Sequence, residues 1–320
     1  MLCERVLEQL MPLDARKQRP NQGRYSLILD HSGGIIDDLT VFREASTSEH
    51  STYRIVSNAS RAKVVKTLLL NSLSGGDLGC TSLDQVLIAL QGPMAVKALV
   101  ESGVVQPSES IPGMPFMSSF IGKYRDDPRP ITITRCGYTG EDGYEISIPR
   151  TLAQAFCRDL LRLEYVKWAG LAARDILRLE ASLCLYEQDI DQHTTPVEAS
   201  LSWVIAKSRL LEDPSRVKFP GFERIKGQLK DGVGKKRLGF TTLQGPPPRS
   251  GMPLLNKDNE IVGKVTSGAF SPTLNANIAM AYANGDAAQI AETAMHINVR
   301  GQDYAMIPTT MPFIKTRYHK

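Results

Sequence analysis

The chain has 320 residues, enough for two or three domains with sizeable hydrophobic cores. Its 38 Lys and Arg residues against 34 Asp and Glu residues give a net charge of +4, and no basic arm indicates nucleic-acid binding. A hydrophobic content of 42% is typical of globular domains rather than disordered or fibrous chains. The longest apolar runs are far shorter than the roughly 20 residues of a membrane-spanning helix. Composition therefore predicts a folded protein that binds neither nucleic acid nor membrane.

Cysteine and histidine usage restricts the chemistry further. The five cysteines are scattered, with no C-x-x-C pair, which favours unpaired thiols and a reducing compartment. The five histidines lack the spacing of a zinc site, so we expect no bound metal. Glu4 and Glu8 lie among apolar residues near the start of the chain, a pattern that fits an amphipathic helix and neither a transit nor a signal peptide.

The first two thirds of the chain predict alternating strands and helices. A glycine-containing turn at residues 31–34 joins the first two strands, and Asn58 is a suitable N-cap for the helix at residues 62–70. The predicted strands are residues 24–29, 35–42, 53–56, 85–90, 131–134 and 144–148, and the predicted helices are residues 62–70, 92–100, 152–163 and 169–185. Hairpins that alternate with helices favour an α+β architecture over a parallel doubly wound sheet.

The composition changes from about Lys218. Short strands at residues 238–242, 261–266, 278–282 and 295–299 are separated by Gly, Pro and Asn, with little helical periodicity. This spacing predicts an all-β C-terminal domain.

Two acidic residues in succession occupy the second predicted strand. Asp37 and Asp38 follow Ile36, and successive strand residues point to opposite faces of a sheet. On a sheet with one buried side, one of the two carboxylates therefore points inward or toward a cleft. An edge strand with two solvated acids is the alternative interpretation.

Residues 135–145 place three glycines between two predicted strands. They suit a loop that approaches a ligand, and they suit a long hairpin equally well. The segment lacks a nucleotide-binding glycine pattern. Glu145 lies in the apolar strand that follows and needs a cationic or multidonor partner if it is buried. Exposure on the outer face of the strand is the alternative.

The predicted helix at residues 169–185 carries Arg174 and Arg178 on one stripe. Arg174 is suited to bidentate recognition of a planar or carboxylate group, whereas a solvated or salt-bridged helix face is the alternative. Asp189, Asp191 and His193 are spaced two residues apart without further ligands, which favours a polar turn over a metal site.

A series of short motifs extends over nearly the whole chain, and their order is more specific than any one of them. They are residues 20–23, 33–39, 90–93, 135–145, 170–175, 177–180, 189–191, 194–198, 265–268 and 311–313. Together they resemble the aminomethyltransferase family, the T-proteins of the glycine cleavage system.

This resemblance implies transfer of the one-carbon unit of an aminomethyl group, carried on the lipoyl arm of the H-protein, to tetrahydrofolate with release of ammonia. It implies that Asp38 is the catalytic carboxylate and that Glu145 binds the pterin, whose adjacent N–H donors a carboxylate accepts in parallel. The other positions that match the family's folate pocket are Arg174, Tyr318, Asn58 and Tyr138. Tetrahydrofolate is then the co-substrate, no metal is required, and the partner is the acidic lipoylated H-protein. The net charge and the basic run at residues 235–237 suggest salt-dependent docking, although such a run is more often a solvated turn.

The resemblance also implies three domains in a clover-leaf arrangement, two related α+β domains and a barrel-like third. It predicts a folate-binding α+β domain at residues 80–180, a second α+β domain at residues 1–79 and 181–218, and a C-terminal β-barrel-like domain at residues 219–320. The family begins several tens of residues before the position that aligns with Met1. We therefore expect the folate-binding domain to lack its usual N-terminal segment here, and activity to be reduced.

Two other functions remain open at this point. A non-catalytic folate-binding or H-protein-binding scaffold is favoured by the missing start. A folate-dependent iron–sulfur assembly factor is less well supported, because its Lys-Gly-Cys-Tyr-x-Gly-Gln-Glu motif is replaced at residues 135–142. The fungal and animal members that the chain resembles, especially at residues 191–196, are mitochondrial matrix proteins, which implies the same location.

Overall fold

The computed structural model describes residues 2–44, 51–73, 78–285 and 294–319, and within these ranges helices pack on one β-sheet that precedes a closed barrel. The helices are α1 (Leu2–Leu10), α2 (Ala62–Ser72), α3 (Ala95–Glu101), α4 (Arg150–Leu160), α5 (Leu171–Glu180) and α6 (Phe222–Asp231). The strands are β1 (Gln22–Leu29), β2 (Ile35–Arg43), β3 (Tyr53–Ser57), β4 (Gln85–Gln91), β5 (Val105–Gln106), β6 (Ser118–Tyr124), β7 (Pro130–Arg135), β8 (Gly143–Pro149), β9 (Lys235–Thr242), β10 (Pro253–Asn256), β11 (Ile261–Ser271), β12 (Ala276–Asn284), β13 (Met295–Val299) and β14 (Gln302–Thr309). Among these residues, every helix is too short or too polar to cross a bilayer.

The first sheet is antiparallel and consists of two halves. Its strand order is β3-β2-β1-β6-β7-β8-β4, and β5 pairs with β6 at one side. The halves meet where β1 contacts β6, with Gln22 opposite Ser118. Gly23 N donates to Met117 O at 2.6 Å beside this pair. The junction is narrow, because β1 and β6 share one register pair, whereas β1 and β2 share eight and β4 and β8 share seven.

Each half of the sheet has its own hydrophobic core. On β1, Ile28 packs toward α1 and α2, whereas Leu27 packs on the opposite face against residues 184–225. In the other half, Ile133 and Ile146 pack under α3 and α4 with Phe156. Burial of both faces explains the succession of apolar residues Leu27, Ile28 and Leu29 at the end of β1.

The C-terminal strands close into a barrel in the order β10-β11-β12-β9-β14-β13. Phe240, Val265 and Ala281 fill its interior. Helix α5 lies against the outside of the barrel, where Leu179 contacts Ile278 and its neighbours. The predicted α+β architecture with a C-terminal all-β barrel is confirmed.

Several predicted elements have different limits in the structure. The helix expected to continue to residue 185 ends at Glu180, because Ser182 adopts a left-handed φ of 58° and cannot extend it. Asn58 is not an N-cap, since α2 begins at Ala62 and the Asn58 side chain turns to the neighbouring strand. The helix α6 was not predicted from the sequence. It follows Gly221 and buries only a short apolar face.

The position of α6 bears on the domain limits, which stay a proposal. Phe222 and Ile225 of α6 pack in the same core as Leu27 and Leu29 of β1. This packing supports a barrel domain that begins near Lys235 rather than at residue 219.

Candidate active site

The β1–β2 hairpin is held in place by a close backbone approach. Gly34 follows the turn, and a Cβ at this position would lie 1.9 Å from the carbonyl oxygen of Gln192. Any other residue would displace that segment. Ile35 N donates to the carbonyl oxygens of Asp191 and Thr194, both at 3.1 Å. The start of β2 is thus fixed immediately before the two acidic residues.

Asp37 and Asp38 point to opposite faces of β2. Asp37 lies opposite Ile28 and is fully buried on the face covered by α1 and α2, whereas Asp38 lies opposite Leu27 and is partly buried on the other face. The prediction that one acid points inward is confirmed, and the alternative of two solvated acids is wrong. Burial raises the pKa of Asp37 to about 6 and also raises the pKa of Asp38.

Two neighbours orient the Asp38 carboxylate. The Tyr25 hydroxyl donates to Oδ2 at 2.9 Å, and Asn58 Nδ2 donates to Oδ1 at 2.8 Å. The Tyr25 ring stacks on Trp203 with their centroids 5.6 Å apart. Trp203 is 68% exposed, so this aromatic pair extends from the carboxylate to solvent.

Tyr138 lies near this carboxylate, and Arg174 contacts Tyr138. The glycine-rich hairpin between β7 and β8 carries Tyr138, whose hydroxyl donates to the carbonyl oxygen of Cys184. The guanidinium carbon of the exposed Arg174 lies 4.6 Å from the Tyr138 ring centroid, a cation–π contact. Burial raises the pKa of Tyr138, and the charge on Asp38 adds to the increase. Tyr138 is therefore a neutral hydrogen-bond donor at physiological pH.

Glu145 is half-buried on β8, between the neighbouring strands β4 and β7. Its carboxylate lies near the Cys136 thiol and interacts electrostatically with Arg174, and both neighbours favour its charged form. Burial has the larger effect and raises the pKa of Glu145. The expected cationic partner is thus present, and the alternative of an exposed outer face is wrong. A thiol is a weak donor, so the carboxylate retains acceptor capacity.

Tyr318 reaches the same region from the C-terminal segment. Arg317 N donates to the carbonyl oxygen of Gly140 at 2.8 Å, which fixes this segment against the glycine-rich hairpin. The Tyr318 ring stacks on Phe116 with centroids 4.1 Å apart and an interplanar angle of 15°. Burial, with a contribution from Cys136, raises the pKa of Tyr318.

The six residues singled out in the sequence therefore lie along one continuous site. Direct contacts join Asn58 to Asp38 and Arg174 to Tyr138. Electrostatic interactions relate Tyr138 to Asp38 and Arg174 to Glu145, and Cys136 interacts with both Glu145 and Tyr318. Sequence reasoning missed Tyr25, Trp203 and Cys136. The two-residue alternation along β1 places Tyr25 on the same face as Leu27, so the sequence could have predicted which face of the sheet Tyr25 occupies. No pattern in the sequence marks Trp203.

The interpretation of residues 189–193 as a polar turn is confirmed for Asp189, which lies in a turn, but its side chain is buried. Its Oδ2 lies 2.6 Å from Arg178 Nη1, and both side chains are at most 1% exposed. Arg178 is likewise not on a solvated helix face, and its Nη2 donates to Ser267 Oγ on the barrel. Asp191 also forms a turn, accepting from the backbone N of His193. The described ranges contain no group of three or more His, Cys, Asp and Glu side chains arranged to hold a metal ion.

The basic run at residues 235–237 is not an exposed turn. It lies in β9, where Arg237 is buried and its Nε donates to the carbonyl oxygen of Ala199 at 2.9 Å. Lys235 Nζ lies 4.0 Å from a carboxylate oxygen of Glu198. The run therefore supplies little free positive charge for docking.

Comparisons with known proteins agree with this architecture. The model of the GCVT N-terminal domain matches residues 3–209, and that of the glycine cleavage T-protein C-terminal barrel domain matches residues 235–315. The mitochondrial aminomethyltransferases of Mus musculus and Homo sapiens are each 41% identical, over 99% and 98% of this chain and 77% and 76% of their own lengths. The probable mitochondrial aminomethyltransferase of Schizosaccharomyces pombe is 38% identical over 98% of this chain and 78% of its own.

A solved structure matches the whole chain. The glycine cleavage system aminomethyltransferase T from Bartonella henselae superimposes with a TM-score of 0.88 at 35% identity, covering 100% of this chain and 83% of that one. The chain therefore belongs to the aminomethyltransferase family, the T-proteins of the glycine cleavage system.

Proposed function

We propose that this aminomethyltransferase takes the aminomethyl group carried on the lipoyl arm of an H-protein, transfers its one-carbon unit to tetrahydrofolate and releases ammonia. The observation that carries the proposal is the continuous arrangement from Asp38 to Tyr318. At one end, the Asp38 carboxylate is held in position by hydrogen bonds. At the other end are the acceptor carboxylate of Glu145 and the stacked rings of Tyr318 and Phe116.

The residues present fit a folate. Glu145 has acceptor capacity that a pterin edge of adjacent N–H donors would use. Arg174 offers a planar, exposed guanidinium, and the stacked Tyr318 and Phe116 rings provide apolar surface beside it. When bound, tetrahydrofolate supplies the nucleophilic nitrogens that receive the one-carbon unit.

The role of Asp38 follows from its environment. Tyr25 and Asn58 hold its two oxygens in a fixed orientation. Burial raises the pKa of Asp38, so the carboxylate has an increased affinity for a proton. In the proposed reaction it orders the attacking nitrogen, accepts its proton and returns a proton to the leaving amine.

The partner and location are also proposals. The H-protein delivers the lipoyl arm, and we place its entry beside the exposed Trp203 rather than at the basic run in β9. The relatives named above are mitochondrial aminomethyltransferases, and we propose the mitochondrial matrix for this chain.

A glycine-synthesis assay tests the proposed function. Purified protein is combined with lipoylated H-protein, the remaining glycine cleavage components, ammonia and methylene-tetrahydrofolate, and glycine formation is measured. H-protein without lipoate is the control and should give no product. Folate binding without turnover would instead identify a scaffold, and absence of both would contradict the proposal.

A further inference from the structure

One side-chain amide connects the two acids on β2. Asn58 follows β3 directly, and its Nδ2 lies 2.9 Å from Asp37 Oδ1 and 2.8 Å from Asp38 Oδ1. The carbonyl oxygen of Asp38 is 3.1 Å from the same nitrogen. The backbone N of Asn58 donates to Asp37 Oδ2 at 3.3 Å. Carboxylates on opposite faces of the sheet thus share the donors of one residue.

The shared amide makes the orientation of Asn58 depend on Asp37. An asparagine side chain presents two hydrogens on one side and a carbonyl oxygen on the other. The negative charge of Asp37 favours the orientation that directs the NH₂ group toward both carboxylates. If residue 37 were neutral, one of the three acceptors that hold the NH₂ group would be weakened, and Asn58 would be held less firmly against Asp38.

We propose that Asp37 is a positioning residue for the transfer reaction, which acts from the opposite face of the sheet and through Asn58 holds a hydrogen-bond donor against Asp38. This inference rests on the proposed function, in which Asp38 is the catalytic carboxylate. Asp37 is fully buried and does not itself contact substrate. Its effect is on the geometry of the Asp38 carboxylate and on how readily that group holds a proton.

Few other charges lie near Asp37 among the described residues. Asp38 is on its own strand, and Tyr186 interacts electrostatically with both Asp37 and Arg61. Arg61 precedes α2, and its Nε donates to the carbonyl oxygen of Ile36 at 3.1 Å. Burial raises the pKa of Asp37 to about 6. The acceptor state that orients Asn58 is therefore present above this pH and is lost as the pH falls through it.

A double-mutant cycle tests the inference in the glycine-synthesis assay. Asp37→Asn should lower kcat about tenfold, a smaller loss than that expected for removal of a positioned proton-transfer group. The KM for tetrahydrofolate should change less than about twofold. Asn58→Ala should lower kcat similarly. Because Asp37 acts through Asn58, the double variant should be no slower than Asn58→Ala alone. Additive losses in the double variant would overturn the inference.

Asp159→Asn is the matched control. Asp159 is also buried and accepts a hydrogen bond from the Tyr124 hydroxyl at 2.6 Å, but it lies on α4 against the other half of the sheet, where it pairs with Arg125. This variant loses a buried carboxylate without touching Asn58 and should keep its kcat. Thermal unfolding of every variant separates a kinetic effect from loss of fold.

A second measurement does not require turnover. The ¹⁵N–¹H signals of the Asn58 side-chain amide, assigned by their loss in Asn58→Ala, should move in one step near pH 6 in the wild type. In Asp37→Asn they should be shifted at high pH and lack this step. Asn58 amide signals that are the same in Asp37→Asn and in the wild type would contradict the inference. Wild-type signals that do not shift with pH would also contradict it, even if the variants failed to fold. An inactive wild type would contradict the proposed function instead, and with it any role of the contact in transfer.

Discussion

Arg178 of α5 and Asp189 form an ion pair of 2.6 Å that also involves the barrel. Ser267 Oγ on β11 accepts from Arg178 Nη2 at 2.9 Å and donates to Asp189 Oδ1 at 2.7 Å. The three side chains close a buried hydrogen-bonded triangle. Because the charges are fully removed from solvent, each needs the others to compensate its desolvation.

Arg178→Lys should therefore destabilise the fold. A lysine ammonium keeps the charge but cannot reproduce the planar fork that reaches Asp189 and Ser267 at once, and the loss should be about 1.5–3 kcal/mol. Urea unfolding measures it. Arg158→Lys, an exposed arginine on α4, is the control and should change the free energy of unfolding by less than about 0.5 kcal/mol. Equal stability of the two variants would contradict a structural role for the ion pair.

Asp38→Asn should reduce turnover while leaving fold and folate affinity nearly intact. The amide still accepts from Asn58 and can donate to the Tyr25 hydroxyl, but it cannot take up a proton. We expect transfer to slow by roughly 10²–10⁴-fold, the range for a positioned proton-transfer group. Single-turnover kinetics and folate titration on the same preparation check both parts. Unchanged turnover would show that Asp38 does not take part in the transfer.

Glu145→Gln should weaken tetrahydrofolate binding. The substitution replaces one acceptor oxygen by an NH₂ group, which cannot accept from a pterin N–H, and the expected loss is about 1.5–3 kcal/mol. Isothermal calorimetry measures it, with Glu109→Gln, an exposed position, as the control. Identical affinity in the two variants would show that Glu145 does not bind the pterin.

The buried carboxylate of Asp37 should also affect how stability depends on pH. Its pKa is about 6 in the folded protein against an ordinary value of 3.8, so the native state binds this proton more readily than the unfolded state does. Lowering the pH from 7.5 to 4.5 should stabilise the wild type relative to Asp37→Asn by about 1–3 kcal/mol. Urea unfolding of both proteins at the two pH values gives the difference. A constant difference would mean that Asp37 does not titrate in this range.

Tryptophan fluorescence offers a probe of the site that needs no turnover. The chain has two tryptophans, and Trp203 stacks on the Tyr25 ring whose hydroxyl contacts Asp38, whereas Trp168 is exposed elsewhere. Ligand binding near Asp38 should change the emission of Trp203. Trp168→Phe should keep this change and Trp203→Phe should lose it. The reverse pattern would place the ligand away from Asp38.

The acids of β2 show what sequence patterns could and could not predict. Alternation along a strand was enough to place Asp37 and Asp38 on opposite faces, because it depends only on local geometry. The role of Asn58 was not accessible in this way. Its contacts with both acids arise because β3 pairs with β2 at the right register, and a single sequence does not reveal that register.

The same distinction explains why the burial of Arg178 could not be predicted. Helical periodicity correctly placed it with Arg174 on one stripe, but it could not show that the barrel covers one end of that stripe. Burial by a distant part of the chain is a tertiary effect, so the exposed Arg174 and the buried Arg178 look equivalent in the sequence. The resemblance to a family supplied the candidate site residues, whereas the structure supplied their neighbours.

The narrow junction between β1 and β6 has a consequence for the assembly of the site. Asp38 belongs to one half of the sheet, Glu145 to the other, and Tyr318 to the segment after the barrel. Neither half contains a complete set of candidate residues, so neither half could form the site by itself. The strand register at the Gln22–Ser118 pair thus sets the distance between Asp38 and Glu145, the two ends of the site. A slip of two residues there would preserve both cores and displace the two ends by roughly 7 Å.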